Sequence, residues 1–312
     1  MPFQTIYTSG TGMLGMEKKL NTISNNLANM ETTAYKKQRC NFEDLYYDNL
    51  RYPGSQDVTG EFAATGIAVG VGTRVTSIQS DFSEGSITET GRQLDIAIGG
   101  TGFFQCTDTF TGEIFYTRAG NFNVNANGIL VMGSAMTGRP VEPVITIPDG
   151  TTHIQIDDGG MVWVAQNGDI QALMDIGQIE LASFINPEGL LRVGENLYRQ
   201  TESSGMPIVN NPGVNGTGIL KAQHLEMSNV APVIELIDMI TSQRAYELNS
   251  KSTQTGDSIL QTVISIKREY QSRNRKIAQF DSQSYDCGSV SYRKCLSAKL
   301  RYCSQSYSVT SC

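Results

Sequence analysis

The chain has 312 residues, enough for one large domain or two medium ones, with 39% apolar residues and 31 glycines. That composition favours many turns around modest cores. Its net charge of −7 argues against a nucleic-acid binder, which would show a basic face. The apolar runs all fall short of the roughly 18 to 20 residues of a membrane span. The opening "MPFQTIYTSG" carries neither a basic nor an apolar signal region, so the expectation is a cytoplasmic protein or one exported without a cleavable signal.

The first predicted element is a helix from Pro2 to about Lys37. Ile6, Met13, Leu20, Leu27 and Ala34 fall on one heptad position, and Ser9, Met16, Ile23 and Met30 on the other. That is the seam of coiled-coil packing. Gly10, Gly12 and Gly15 weaken its front end, which is expected to fray in an isolated monomer. Asn21, Ser24, Asn25, Asn26 and Asn29 sit in the same helix, although such residues favour caps and turns.

An extended connector follows, from about Gln38 to Arg74. It carries Phe42, Leu45, Tyr46, Tyr47 and Tyr52, with Pro53-Gly54. The aromatics either pin the connector to its own domain or form an arm that packs between subunits.

From about Val75 to Met227 the chain reads as β-rich. Short strand-like runs such as "LDIAIGG", "GFFQC" and "MVWVA" alternate with turn signals, and "NANGIL" and "QNGDIQ" each place Asn-Gly between such runs. No helical period intervenes, so the sheet is expected to be antiparallel.

Helical pattern returns over residues 228–266. Ile234, Ile237, Ala245, Leu248, Ser252, Thr255, Ile259, Val263 and Ile266 mark one face, partly in an 11-residue repeat that keeps the stripe nearly straight. Each helix buries its stripe only if the chain ends meet, as an antiparallel pair about 45 Å long at 1.5 Å per residue. The expected fold class is therefore α+β: paired, coiled-coil-like terminal helices (1–37 and 228–266), a connector (38–74) and an antiparallel β domain (75–227). Residues 267–312 form a separate, atypical tail with nine basic and three acidic residues, against 15 and 28 in the rest. It holds Cys287, Cys295, Cys303 and Cys312 and is rich in Ser and Tyr, so it is expected to be disordered.

The search for chemistry ends without a candidate. His153 and His224 are the only histidines, and neither lies in a His-Glu-x-x-His motif or near a cysteine pair. "IGGTGFF" runs into Phe-Phe rather than a helix start, against a dinucleotide loop. The tail cysteines lack the Cys-x-x-Cys spacing of zinc sites, and Cys40 and Cys106 read as small buried residues. Catalytic, metal and cofactor residues are expected to be absent.

Several of these stretches resemble one family. "TISNNLANMETTAYKKQRCNFEDLYYD" and "MITSQRAYELNSK" are similar to the N- and C-terminal signatures of bacterial flagellar rod and hook proteins. "LDIAIGGTGFF" and "YTRAGNFNVNANGILV" resemble the β-domain motifs between them, and "FEDLYYDNLRYPG", "EFAATGIAVGVGTRV" and "NPGVNGTG" look most like the distal-rod branch. The resemblance spans about Met1 to Ile266, and the tail departs from it. It implies a structural subunit, not an enzyme, that polymerises helically into a hollow shaft between motor and hook. A proximal rod subunit, or a secreted β-rich binding or adhesion module, is the alternative. Implied partners are further copies of itself, proximal rod and hook subunits, the L- and P-ring proteins and the flagellar type III export apparatus, without nucleic acid or membrane insertion. The implied location is the periplasm-spanning rod of the basal body.

On this reading the assembly residues are the seam residues Ile6, Met13, Leu20, Ile23, Leu27 and Met30, and the amides Asn25, Asn26 and Asn29. In the second helix they are Ile237, Gln243, Arg244, Tyr246, Glu247, Leu248, Ile259 and Val263. Arg244 and Glu247 either pair within their helix, worth tenths of a kcal/mol when exposed, or contact a neighbour. The connector arm adds Phe42, Leu45, Tyr46, Tyr47, Tyr52, Pro53 and Gly54.

Overall fold

A computed structural model of the chain describes residues 2–56, 60, 62, 64–109, 111–132, 138–166 and 173–285. Two compact units are present. One runs from Tyr7 to Ser252, and the other joins residues 2–6 with residues 253–285.

Helix α1 (Pro2–Ala28) passes unbroken through Gly10, Gly12 and Gly15. It stops nine residues before the expected boundary, and the Asn/Thr chemistry at its end explains why. The Asn29 amide donates to the Asn25 carbonyl, and the Thr32 hydroxyl donates to Asn29 Oδ1. Such side chains offer the backbone partners that replace further helical bonds. Ala34 then adopts φ 55°, which turns the chain back, and its N–H donates to the Glu226 carbonyl at 2.8 Å.

The strand Gln38–Asp44 pairs antiparallel with Thr73–Ser80, from Gln38 opposite Ser80 to Asp44 opposite Thr73. Between them the hairpin Tyr47–Arg51 with Ile67–Gly70 projects. The expected extended connector is thus built of paired strands.

The central domain carries a nine-stranded sheet. Its path runs Leu191–Gly194, Leu197–Arg199, Ile114–Thr117, Phe103–Thr107, Arg139–Glu142, Leu130–Met132 and Phe122–Val124. Leu181–Ser183 joins Phe103–Thr107 and carries Ile208–Asn210 on its other side. A meander of Thr151–Ile156, Met161–Gln166 and Leu173–Gln178 lies beside it. Both Asn-Gly signals join antiparallel neighbours, Phe122–Val124 with Leu130–Met132 and Met161–Gln166 with Leu173–Gln178. The second turn itself lies outside the described residues.

The chain leaves the domain where it entered. Ile219–Ala222 pairs with Ile96–Gly99, and His224–Glu226 with Ile87–Glu89. The core is Ile96, Ile98, Phe104, Phe122, Leu130 and their neighbours, with the Phe104 and Phe122 rings edge-to-face at 5.0 Å. A second, aromatic cluster joins Phe103, Tyr116, Phe184 and Tyr198, with Phe82 packed against it. Cys106 is buried as expected of a small apolar residue, and burial pushes its thiol up to about 12.

Gly120 shows how tightly the entry strand is laid. A Cβ there would stand 1.6 Å from the Ile96 carbonyl oxygen, so backbone must move. Gly120→Ala is expected to cost on the order of 3 kcal/mol, read as a lower urea midpoint at unchanged m-value.

Helix α2 (Pro232–Tyr285) is 54 residues long. It runs on through Ile266, so the first part of the stretch expected to be a disordered tail is helical. Residues 286–312, with all four tail cysteines, lie outside the described residues. Among the described residues no helix is long and apolar enough to cross a membrane.

Candidate assembly surface

The buried face of α1 is made mostly of small and polar side chains, with Ile23 the large apolar exception. Ser9, Gly12, Gly15, Thr22, Ile23 and Asn26 are buried, while Ile6, Met13, Leu20 and Leu27 are half-buried and Met30 is exposed. The apolar seam therefore flanks the closest contacts, and the glycines sit inside them. A Cβ on Gly12 would stand 2.9 Å from the Asn249 amide, and one on Gly15 would stand 3.0 Å from the Phe42 ring. What looked like helix-weakening glycines lets α2 and the first strand approach the α1 backbone.

The matching face of α2 is also polar. Glu235, Ser242, Ala245, Asn249 and Ser252 are buried or half-buried, at heptad spacing. Ser9 and Ser252 join hydroxyls at 3.0 Å, and Asn26 donates to Glu235 Oε2 at 3.2 Å. This corrects the expected register. Ala245 and Ser252 lie inward, but Ile234, Ile237 and Leu248 do not.

Most of the large apolar residues of α2 instead face outward. Val233, Ile234, Leu236, Ile237, Ile240 and Leu248 are between 46% and 69% exposed. Gln243, Arg244, Tyr246 and Glu247 are exposed beside them. In the other unit Ile259, Val263, Ile264 and Ile266 are exposed as well. Covering one such half-exposed side chain gains about 1 kcal/mol, half the value of a full burial. A run of this size marks a contact surface.

The connector hairpin presents a second exposed set. Tyr46, Tyr47, Leu50, Tyr52, Phe62 and Ile67 are all exposed, and Pro53 and Gly54 form a local turn just past its first strand, Gly54 at φ 79°. Leu45 is half-buried. Phe42 is exposed as well, but one edge of its ring lies against Gly15 of its own α1.

The Asn cluster serves a different purpose from the one its helix position suggested. Asn26 grips the returning chain: its amide donates to the Gln38 carbonyl at 2.9 Å, and its Oδ1 accepts the Gln38 N–H at 2.8 Å. Asn25 donates to Tyr35 Oη and to Gln38 Oε1, both at 3.2 Å. The amides thus dock the link after α1 onto α1 itself. Asn229 does the same from the other side, accepting the Lys37 N–H at 2.7 Å and donating to the Asp81 carbonyl.

Beneath this link lies a buried ionic triad that the sequence reading missed. Lys36 Nζ stands 2.6 Å from Glu226 Oε1, and Arg118 Nε stands 2.9 Å from Oε2. Lys36 and Glu226 are fully buried and Arg118 nearly so. Lys36 also donates to the Ser83 carbonyl, Glu226 accepts the Gly85 N–H, and Arg118 donates to the carbonyls of Ile98, Gly100 and Gly102. Arg192 donates to the Lys36 carbonyl and lies over the Tyr35 ring at 5.3 Å.

Burial opposes the charge of Glu226, but Arg118 and then Lys36 outweigh it, and its carboxyl sits below the ordinary carboxylate value of 4.5. Burial, followed by Arg118, lowers Lys36 despite the opposing pull of Glu226. Since the folded carboxyl is depressed, its contribution to stability is complete above about pH 4.5 and is lost as pH falls through the folded value. Melting temperature is therefore expected to drop between pH 5 and pH 3 (roughly the carboxylate range), and less steeply in Glu226→Gln.

Comparison with known proteins gives this arrangement its context. Residues 6–36 match the family described as "Flagella basal body rod protein". Residues 97–164 match "Flagellar hook protein FlgE/F/G D1 domain", and residues 221–266 match "Flagellar basal body rod FlgEFG protein C-terminal". Lys36, Arg118 and Glu226 come one from each matched segment. The flagellar basal-body rod protein FlgG of Buchnera aphidicola (subsp. Acyrthosiphon pisum) is 41% identical over 257 residues, covering 82% of this chain and 97% of that protein. FlgG of Caulobacter vibrioides is 40% identical over 265 residues, covering 85% and 99%. FlgG of Bacillus subtilis is 37% identical over 281 residues, again covering 85% and 99%. The chain belongs to the flagellar basal-body rod protein family, is most like FlgG within it, and is a structural subunit of the distal rod.

Proposed function

We propose that the subunit polymerises helically into the hollow shaft that links motor to hook, with neighbouring copies covering the outward stripe of α2. The observation that carries this is the inversion of the helix contact. α1 and α2 meet through Ser9, Gly12, Asn26, Glu235, Asn249 and Ser252, while Ile234, Ile237 and Leu248 stay outside. A subunit that met its needs alone would bury the reverse set. Contacts that repeat from copy to copy without closing generate an open helical polymer.

On this reading the helices line the channel as a coiled-coil-like layer, and the β domains form the outer wall facing the L- and P-ring proteins. The ends of the shaft meet proximal rod and hook subunits. The subunit reaches its periplasm-spanning position through the flagellar type III apparatus. The exposed hairpin of Tyr46, Tyr47 and Tyr52 packs between copies and stiffens the shaft. Deleting residues 46–55 is expected to leave the monomer folded and to yield rods of reduced bending stiffness, measured from rod curvature by electron microscopy. Unchanged stiffness would remove the arm.

Sedimentation tests the main reading. Purified chain is expected to be monomeric when dilute and to grow into rods when concentrated on isolated basal-body seeds. A stable monomer under all conditions would favour a soluble binding module instead. Deleting the gene is expected to leave motors without hooks.

A further inference from the structure

We propose that the Lys36–Glu226–Arg118 triad is an orientation lock, which fixes the angle between the helical base of the Tyr7–Ser252 unit and its β domain. The proposal deepens the rod reading, since a shaft subunit that pivots internally transmits less torque. It rests on three features of the joint.

The three charges come from three different places. Lys36 follows α1, Glu226 ends the strand that leads into α2, and Arg118 belongs to the β domain, just past the strand Ile114–Thr117. Each partner is also tied directionally to backbone beyond the pair. Lys36 holds Ser83, Glu226 holds Gly85, and the Arg118 guanidinium spans Ile98, Gly100 and Gly102. Apolar contact alone has no direction and tolerates sliding. A planar guanidinium fork that satisfies a carboxylate and several carbonyls at once has one good orientation.

Stability does not account for the arrangement. Burying an ion pair and its extra cation gains little over apolar side chains of similar volume. Two cations share one carboxylate here, and the surplus positive charge is met by carbonyl dipoles and by the field of Asp81 beyond them. What the triad supplies, and an apolar cluster does not, is a fixed angle.

The test uses the full-length monomer with spin labels on noncanonical residues at Lys18 in α1 and Val144 in the β domain, both exposed. The width of the distance distribution between the labels reads the joint directly. In the wild type it is expected to be narrow. In the triple variant Lys36→Met/Arg118→Met/Glu226→Leu the melting temperature is expected to fall less than in Glu226→Leu alone, while the distribution broadens at least about twofold. Arg118→Lys keeps the charge but loses the fork, and is expected to broaden it too. A width unchanged in Arg118→Lys, or a triple variant that fails to fold, would overturn the lock. The readout needs no polymer, so it is independent of the rod reading, which fails separately if cells lacking the gene still build hooks.

Discussion

Rods are expected not to form from the Ile237→Asp/Leu248→Asp double variant, while its monomer is expected to melt at the wild-type temperature. Both residues are more than half exposed in the single chain, so an exposed carboxylate there disturbs little. In a shaft wall each becomes an unpaired charge against apolar neighbours, and the cost is several kcal/mol. A loss of roughly 4 kcal/mol per contact raises the concentration needed for assembly about a thousandfold. Seeded growth followed by sedimentation should show all protein in the supernatant, and cells carrying the variant should be non-motile. A control at Glu202, an exposed residue of the β domain far from the helices in sequence, should assemble normally after Glu202→Gln.

Glu226→Leu alone has the largest expected effect on the monomer. It removes the one carboxylate and leaves Lys36 and Arg118 buried together without an anion. Stranding buried charge in this way costs about 3–5 kcal/mol. For a domain of this size that lowers the melting temperature by on the order of 10 °C. Replacing all three members avoids the stranded charge, so the single and triple variants separate the cost of breaking the triad from the worth of having it. If Glu226→Leu melted like the wild type, the triad would not be the buried network described here.

Much of the architecture was legible in residue order. The seam of Leu20, Ile23 and Leu27 announced α1, and Asn125 to Gly128 announced a hairpin that the β domain contains. The inward face of α2 was only partly legible: Ala245 and Ser252 lay on the predicted face, but Ser242 and Asn249 carry no hydropathy signal. The apolar residues beside them do, and they drew the predicted face toward Leu248. The end of α1 was signalled by Asn29 and Thr32, whose capping chemistry outweighed the heptad pattern that continued to Ala34. The triad was hidden by separation: Glu226 lies 190 residues from Lys36 and 108 from Arg118. One-dimensional pattern does not pair charges over such distances. The role of Asn26 was half legible. A mid-helix amide signalled a contact, but the contact is with Gln38 of the same chain rather than with a neighbour.

The central claim is that the outward stripe of α2 is covered only in the assembled shaft. Hydroxyl-radical footprinting of Ile237, Ile240 and Leu248, in the purified monomer and in isolated hook–basal bodies, tests it directly. All three should be oxidised readily in the monomer and strongly protected in the basal body. Equal oxidation in the two states would contradict the account.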